Sequence, residues 1–131
     1  MKAYITLLST NEYLDGVLVL HQSLKEVGAK YPLVVVVTNN INPYSRNILS
    51  QKKIQTIEVE NFFYRPECVK AFAAWGMPHW KYTAAKIRIF GLTEFEKLVY
   101  LDSDMMVLRN IDHLFDYPDG SAAEDSPIIF E

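Results

Sequence analysis

Five consecutive apolar residues, Leu33-Val34-Val35-Val36-Val37, constrain the fold of this chain more than any other segment. A strand with one wet face alternates apolar and polar side chains. An unbroken β-branched run instead suits a strand covered on both faces, as in a parallel sheet between helices. Parallel neighbours cannot be joined by a tight hairpin and need long crossovers, usually helical. The flanking sequence should therefore alternate helices with further strands.

Lys2 to Leu8 reads as a first strand, after which Leu14, Val17, Leu18 and Leu24 recur at helical spacing along a face that includes His21. Between them, Ser9-Thr10-Asn11 offers short polar side chains suited to a helix cap or a turn. Asn42-Pro43 predicts a second helix start, with Asn as cap and Pro at the first helical position, running to about Lys52. Ile54 to Val59 makes a third strand. Glu60 to His79 is rich in aromatics, carries Pro66, Gly76 and Pro78 and has no clean period, which predicts an irregular crossover with room for a short helix. Helical propensity returns from Trp80 to Leu92, around Ala84, Ala85, Lys86 and Ile87, and Glu94 to Lys97 leads into a fourth strand, Leu98 to Leu101. The expectation is an α/β fold, a mostly parallel sheet with flanking helices, in one domain spanning residues 1–131. Half of the residues are hydrophobic, enough for a real core.

Composition excludes several classes. A formal net charge of -3, with Lys and Arg scattered among Asp and Glu, leaves no basic stripe for a phosphate backbone, so nucleic acid is not an expected partner. The lone Cys68 excludes an intramolecular disulfide and suits a cytoplasmic setting. Ala3 to Leu8 is too short and too polar-flanked for a signal peptide or a membrane span.

The fourth strand runs directly into Asp102-Ser103-Asp104, so two carboxylates stand at its carboxyl end, where open α/β sheets build their ligand sites. If the backbone stays extended, residues two apart point to one side, and both carboxylates can approach one centre across the small Ser103. Two like charges so close need a counter-cation. Magnesium and manganese take oxygen ligands, often from one or two carboxylates, and complete the shell with substrate phosphates. The bland alternative is a strand that ends in solvated acidic side chains. Against it, Met105-Met106-Val107-Leu108 resumes apolar sequence at once, which predicts a chain buried on both sides of the triplet. Asn110 to Phe115 follows as a short turn or helix, with Leu114 and Phe115 packing back on the sheet and His113 given no metal role.

These residues resemble the retaining glycosyltransferase family that includes glycogenin, galactinol synthase and bacterial lipopolysaccharide galactosyltransferases. One block runs from Ala3 to Tyr13 and on through Gly16 to Leu20 and Ser23-Leu24; it looks like the family's opening strand, nucleotide loop and helix. The second runs from Lys86 to Phe90, then Phe95 to Asp104, then Asn110 to Phe115, and resembles the family's signature region. The resemblance implies a Rossmann-like A-type glycosyltransferase fold. It also implies transfer of a hexose, glucose or galactose, from a uridine diphosphate (UDP) sugar to an acceptor hydroxyl, with retention at the anomeric carbon. By the same resemblance, Leu7, Ser9 and Thr10 would line the uridine pocket, Tyr13 would stack on the uracil, and Ser103 would join them at the donor. Lys86 would sit over the sugar and diphosphate, Asp102 would contact ribose and metal, and Asp104 would be the firmer ligand of a manganese or magnesium ion. Taken without the resemblance, the same positions read as a core Leu, turn Ser and Thr, a packing Tyr and an exposed helix Lys.

The family's later segments, an Asn, an Asp-containing catalytic stretch and a His-x-x-Gly-x-x-Lys motif, are not found, and Ile128-Ile129-Phe130 resembles the start of another strand. The expectation is therefore a fold incomplete at its C-terminus. Such a chain would hold a cation weakly through two carboxylates and leave apolar sheet surface through which it could self-associate. Two rival readings stand beside the transferase. One is a non-catalytic nucleotide-binding remnant or scaffolding domain of the same fold. The other is a haloacid dehalogenase-like phosphatase, whose nucleophile also opens an Asp-x-Asp after an apolar strand, although that motif usually comes early in its domain.

Overall fold

Every side chain of β2 (Leu33–Thr38) is buried, as its β-branched run predicts. The computed structural model describes residues 1–60, 66–76, 86 and 88–123. β1 (Lys2–Leu8) lies parallel to β2, with Tyr4 opposite Leu33 and Leu8 opposite Val37, and is buried from Ala3 onward. β3 (Gln55–Val59) pairs in parallel with β2, and β4 (Lys97–Tyr100) pairs in parallel with β1, so the sheet order is β3-β2-β1-β4. The chain thus builds outward from β1 to β3, then returns to add β4 on the other side of β1. That reversal makes the carboxyl ends of β1 and β4 a topological switch point, the crevice where open α/β sheets take their ligands.

Three helices are described: α1 (Leu14–Glu26), α2 (Pro43–Gln51) and α3 (Pro66–Ala74). One face of the sheet packs Tyr4, Leu8, Leu33, Val35 and Val37 against Leu14, Val17, Leu20 and Leu24 of α1 and Leu49 of α2. The opposite face carries Ile5, Leu7 and Val36, surrounded by Val59, Ile89, Leu92, Leu98 and Tyr100. Each fully buried Val, Ile or Leu contributes roughly 1.5–3 kcal/mol through removal from water. Because β1 and β2 are covered on both faces, the apolar surface expected for self-association is not open on these two strands.

Local chemistry accounts for the helix ends. The Asn42 side chain accepts from Ser45 N at 2.8 Å, capping α2 where Pro43 takes the first helical position. Both α1 and α2 finish in a left-handed residue, Gly28 at φ 68° and Lys53 at φ 59°. The next amide then reaches back into the last turn, Ala29 N to Leu24 O and Ile54 N to Leu49 O, each at 3.0 Å. The buried face of α1 differs from its expected composition: Leu20 and Ser23 are buried, while Leu18 and His21 are only half-buried.

The predicted crossover from Glu60 to His79 contains α3, with residues 61–65 and 77–79 outside the described ones. Of the helical stretch expected from Trp80 to Leu92, residues 80–85 and 87 also lie outside them, and residues 88–91 form a tight helical turn. The terminal strand expected at Ile128 to Phe130 lies outside as well. Among the described residues, no helix is long and apolar enough to cross a membrane.

Candidate functional site

The last sheet hydrogen bond of the fourth strand runs from Leu101 N to Ile5 O at 2.9 Å. Since Ile5 pairs with Tyr100, Asp102 leaves the sheet level with Leu7, beside the end of β1. The chain then turns at once: Met105 N donates to Asp102 O at 3.2 Å and closes a four-residue turn over Asp102-Ser103-Asp104-Met105. This corrects the extended geometry expected for the triplet. Acidic residues start such turns readily. Both carboxylates are exposed.

Lys86 meets this turn from outside the sheet. Its Nζ lies 3.1 Å from Asp102 Oδ1, with the two side chains 49% and 51% exposed, and 5.3 Å from the Tyr100 ring centroid. Burial pushes the Tyr100 hydroxyl well above the ordinary tyrosine range, and the adjacent Asp102 and Asp104 carboxylates push it the same way. Tyr100 therefore stays a neutral phenol near neutral pH.

Helix α1 backs the turn and the segment after it. A Cβ at Gly16 would lie 2.3 Å from Ser103 O, so the backbones of α1 and the acidic turn are in direct contact. Further along, Ser23 Oγ accepts from Val107 N at 2.9 Å and donates to Leu20 O at 2.8 Å. Asn110 Nδ2 donates to Val27 O and Gly28 O at the helix end. Gly16 and Ser23 appeared in the sequence only within the resembling block. Their roles depend on contacts across more than eighty positions, which no local period reveals.

The apolar continuation does not bury the chain downstream as expected. Leu101 is buried, but Met105, Met106 and Leu108 are 47%, 59% and 76% exposed, and only Val107 tucks in. Leu101, Met105 to Arg109 and Ile111 line an open apolar groove of about 340 Å³ that neither carboxylate borders.

The other wall of the switch point is the loop after β1. Asn40 Nδ2 donates to Ser9 O at 2.8 Å, and Thr38 Oγ1 reaches the same carbonyl at 3.5 Å. Asn11 Oδ1 accepts from Asn42 N at 3.0 Å and from Ser45 Oγ at 3.2 Å. The loop is thereby tied to the one after β2. Thr10 Oγ1 is buried with no hydrogen-bond partner among the described residues, and the Tyr13 ring, in the tight helical turn Asn11–Tyr13, is 41% exposed. Leu7 is buried in the sheet beside Ile5 and Val36. Of the residues singled out by sequence, Lys86 and Asp102 touch, and Ser103 and Asp104 share the turn. Ser9, Thr10 and Tyr13 lie together on the neighbouring loop.

Asp102 and Asp104 supply the hard oxygen donors that suit magnesium or manganese. Among the described residues, no group of three or more His, Cys, Asp or Glu stands close enough to enclose a metal. A two-carboxylate set fits a cation that takes the rest of its shell from water and phosphate. His113 is exposed and stacks edge-on near Tyr117.

Behind the site, Asp112 ties down the segment that follows the turn. It accepts from the hydroxyl of the fully buried Tyr4 at 2.5 Å, from Lys30 N at 3.0 Å and from Asn110 Nδ2 at 3.0 Å. Phe115, in the turn Asp112–Asp116, packs edge-on against Tyr4 with centroids 4.9 Å apart. Phe115 thus returns to the sheet as expected, while Leu114 stays half-buried.

Galactinol synthase 1 of Arabidopsis thaliana is 39% identical over 120 residues, covering 91% of this chain and 34% of that protein. Galactinol synthase 3 of the same plant is 39% identical over 126 residues, covering 92% of this chain and 35% of the relative. Galactinol synthase 1 of Ajuga reptans is 38% identical over 91% of this chain and 35% of its own length. The chain thus spans about a third of the length of the curated relatives it matches. The family model for "Glycosyl transferase family 8" matches residues 4–124, which removes the phosphatase reading. With parallel strands in the order 3-2-1-4, an acidic turn at their switch point and a family match over nearly its whole length, the chain belongs to glycosyl transferase family 8.

Proposed function

We propose that this chain forms the donor-binding part of a metal-dependent retaining hexosyltransferase that passes glucose or galactose from a UDP-sugar to an acceptor hydroxyl. The observation that carries the reading is the acidic turn at the switch point, with Lys86 3.1 Å from Asp102. The relatives' name, galactinol synthase, favours a galactosyl donor as the first to try. The lone Cys68 favours a cytoplasmic setting.

Asp102 and Asp104 are the residues that would hold manganese or magnesium, Asp104 more firmly and Asp102 with the ribose as well. When bound, such a cation offsets charge on the departing diphosphate. The Lys86 ammonium adds a second positive group at the same turn, placed to pair with a phosphate oxygen. Ser9, Thr10 and the exposed Tyr13 ring would face the uridine across the turn, with Leu7 beneath them and Ser103 between the carboxylates. Holding the donor in one orientation is the chain's main contribution, because fixed geometry lowers the entropy cost of the transfer.

Saturation-transfer NMR with UDP-galactose in magnesium tests the reading. Transfer to both uracil and ribose protons is expected, and its absence at millimolar donor would overturn it. Binding without turnover is the second reading, motivated by the two-carboxylate metal set. Release of UDP from UDP-galactose, measured beside binding, separates the two.

A further inference from the structure

We infer that Gly16 is a positioning residue that sets where the acidic turn stands, by letting its backbone rest directly on helix α1. The functional consequence rests on the donor-site reading above; the structural part does not. Glycine inside a helix costs about 0.5–1 kcal/mol relative to alanine, so propensity argues against it at this place. Nor does Gly16 take one of the left-handed conformations found at Gly28, Gly76 and Gly120. What remains is close approach: an added Cβ would stand 2.3 Å from Ser103 O, 3.4 Å from Ser103 C and 3.8 Å from Asp104 Cα.

All three neighbours are backbone atoms, so no trimming of a side chain at position 103 makes room. Helix α1 cannot easily yield, because Leu14, Val17, Leu20 and Leu24 hold it against β1 and β2. The exposed turn must move instead, and both carboxylates move with it. Two helical turns further on, Ser23 Oγ holds Val107 N at 2.9 Å, so α1 grips the segment at two points on either side of Met105 and Met106. Gly16 fixes the depth of the turn and Ser23 fixes the chain leaving it.

The test uses ¹⁵N-labelled full chain, with Val19→Ala as a control on the exposed side of the same helix. In Gly16→Ala, the amide signals of Asp102 to Met105 and of Val107 are expected to shift while those of β1 and β2 stay in place. Adding Ser103→Gly should not restore them. Wild type is expected to bind UDP in the presence of manganese, and Gly16→Ala should weaken that binding roughly 10–100-fold, the scale expected for misplaced binding groups. Unchanged amides at Asp102 to Met105 would overturn the inference whatever the nucleotide does. Failure of wild type to bind UDP would overturn the donor-site reading, and the amide result would still decide this one. Should Gly16→Ala not fold, Ser23→Ala provides the second reading: faster hydrogen exchange at Val107 with altered turn amides is expected, and unchanged exchange there would overturn the grip.

Discussion

Lys86 Nζ lies 3.1 Å from Asp102 Oδ1 while standing 5.3 Å from the ring centroid of Tyr100, so one ammonium contacts both the end of β4 and the start of the acidic turn. Both partners of the ion pair are about half exposed, and such pairs contribute roughly 0.2–1 kcal/mol to stability. On the donor-site reading, its value lies in charge placement. Lys86→Met should change the urea midpoint little, yet weaken manganese-supported UDP binding by about tenfold or more, the scale of one charged hydrogen bond. Equal UDP affinity in the variant would remove Lys86 from the donor site.

Asp112 and Tyr4 make a separate, structural pair. Burial alone would raise the Asp112 carboxyl, but hydrogen bonds from Tyr4, Lys30 N and Asn110, with the Lys30 charge, outweigh it and hold the pKa below the ordinary aspartate value. A lowered folded pKa means the unfolded chain binds the extra proton first, so this stabilisation is complete above the ordinary value and fades as pH falls through the folded one. Asp112→Ala also orphans a fully buried phenol, costing about 1–3 kcal/mol at neutral pH. Urea denaturation of both proteins at pH 7 and in the acid range should show the deficit shrinking with acid. A deficit independent of pH would contradict the assignment.

The two helix ends offer a matched comparison. Gly28 and Lys53 occupy equivalent left-handed positions after α1 and α2, but only glycine adopts that region without steric cost. Lys53→Gly should stabilise the chain by about 0.5–1 kcal/mol, and Gly28→Ala should destabilise it by about 1–2 kcal/mol. Thermal melts that ranked the two substitutions the other way would show that the left-handed ends do not govern these positions.

Asn11 joins the loops that follow β1 and β2. Asn11→Ala removes the acceptor for Asn42 N and Ser45 Oγ and should cost about 1–2 kcal/mol. The loop bearing Ser9, Thr10 and Tyr13 should then exchange its amides faster, while β2 keeps its protection. Unaltered exchange at Ser9 to Tyr13 would show that the loop is held by other contacts.

Much of the fold was readable because its signals are local. The β-branched run of β2, the strand Lys2–Leu8 and the Asn42-Pro43 cap each carry their cause within a few residues, and each stands where expected. The acidic residues at the end of β4 were readable for the same reason. The turn they adopt was not, since it depends on Met105 N finding Asp102 O rather than on residue type. Nor could spacing show that Gly16 faces Ser103, that Ser23 holds Val107, or that Tyr4 reaches Asp112 across 108 positions. Met105, Met106 and Leu108 misled because an apolar run records a preference for burial without naming the surface that provides it.

On the donor-site reading, Asp102 and Asp104 form a metal-supported nucleotide site at the junction of β1 and β4. Calorimetric titration of the chain with UDP, with and without manganese, tests it most directly beside the variant Asp104→Ala. Binding that needs manganese is expected in wild type, and its loss is expected in Asp104→Ala, with the fold of the variant intact by circular dichroism. UDP binding indifferent to manganese and unchanged by Asp104→Ala would contradict it.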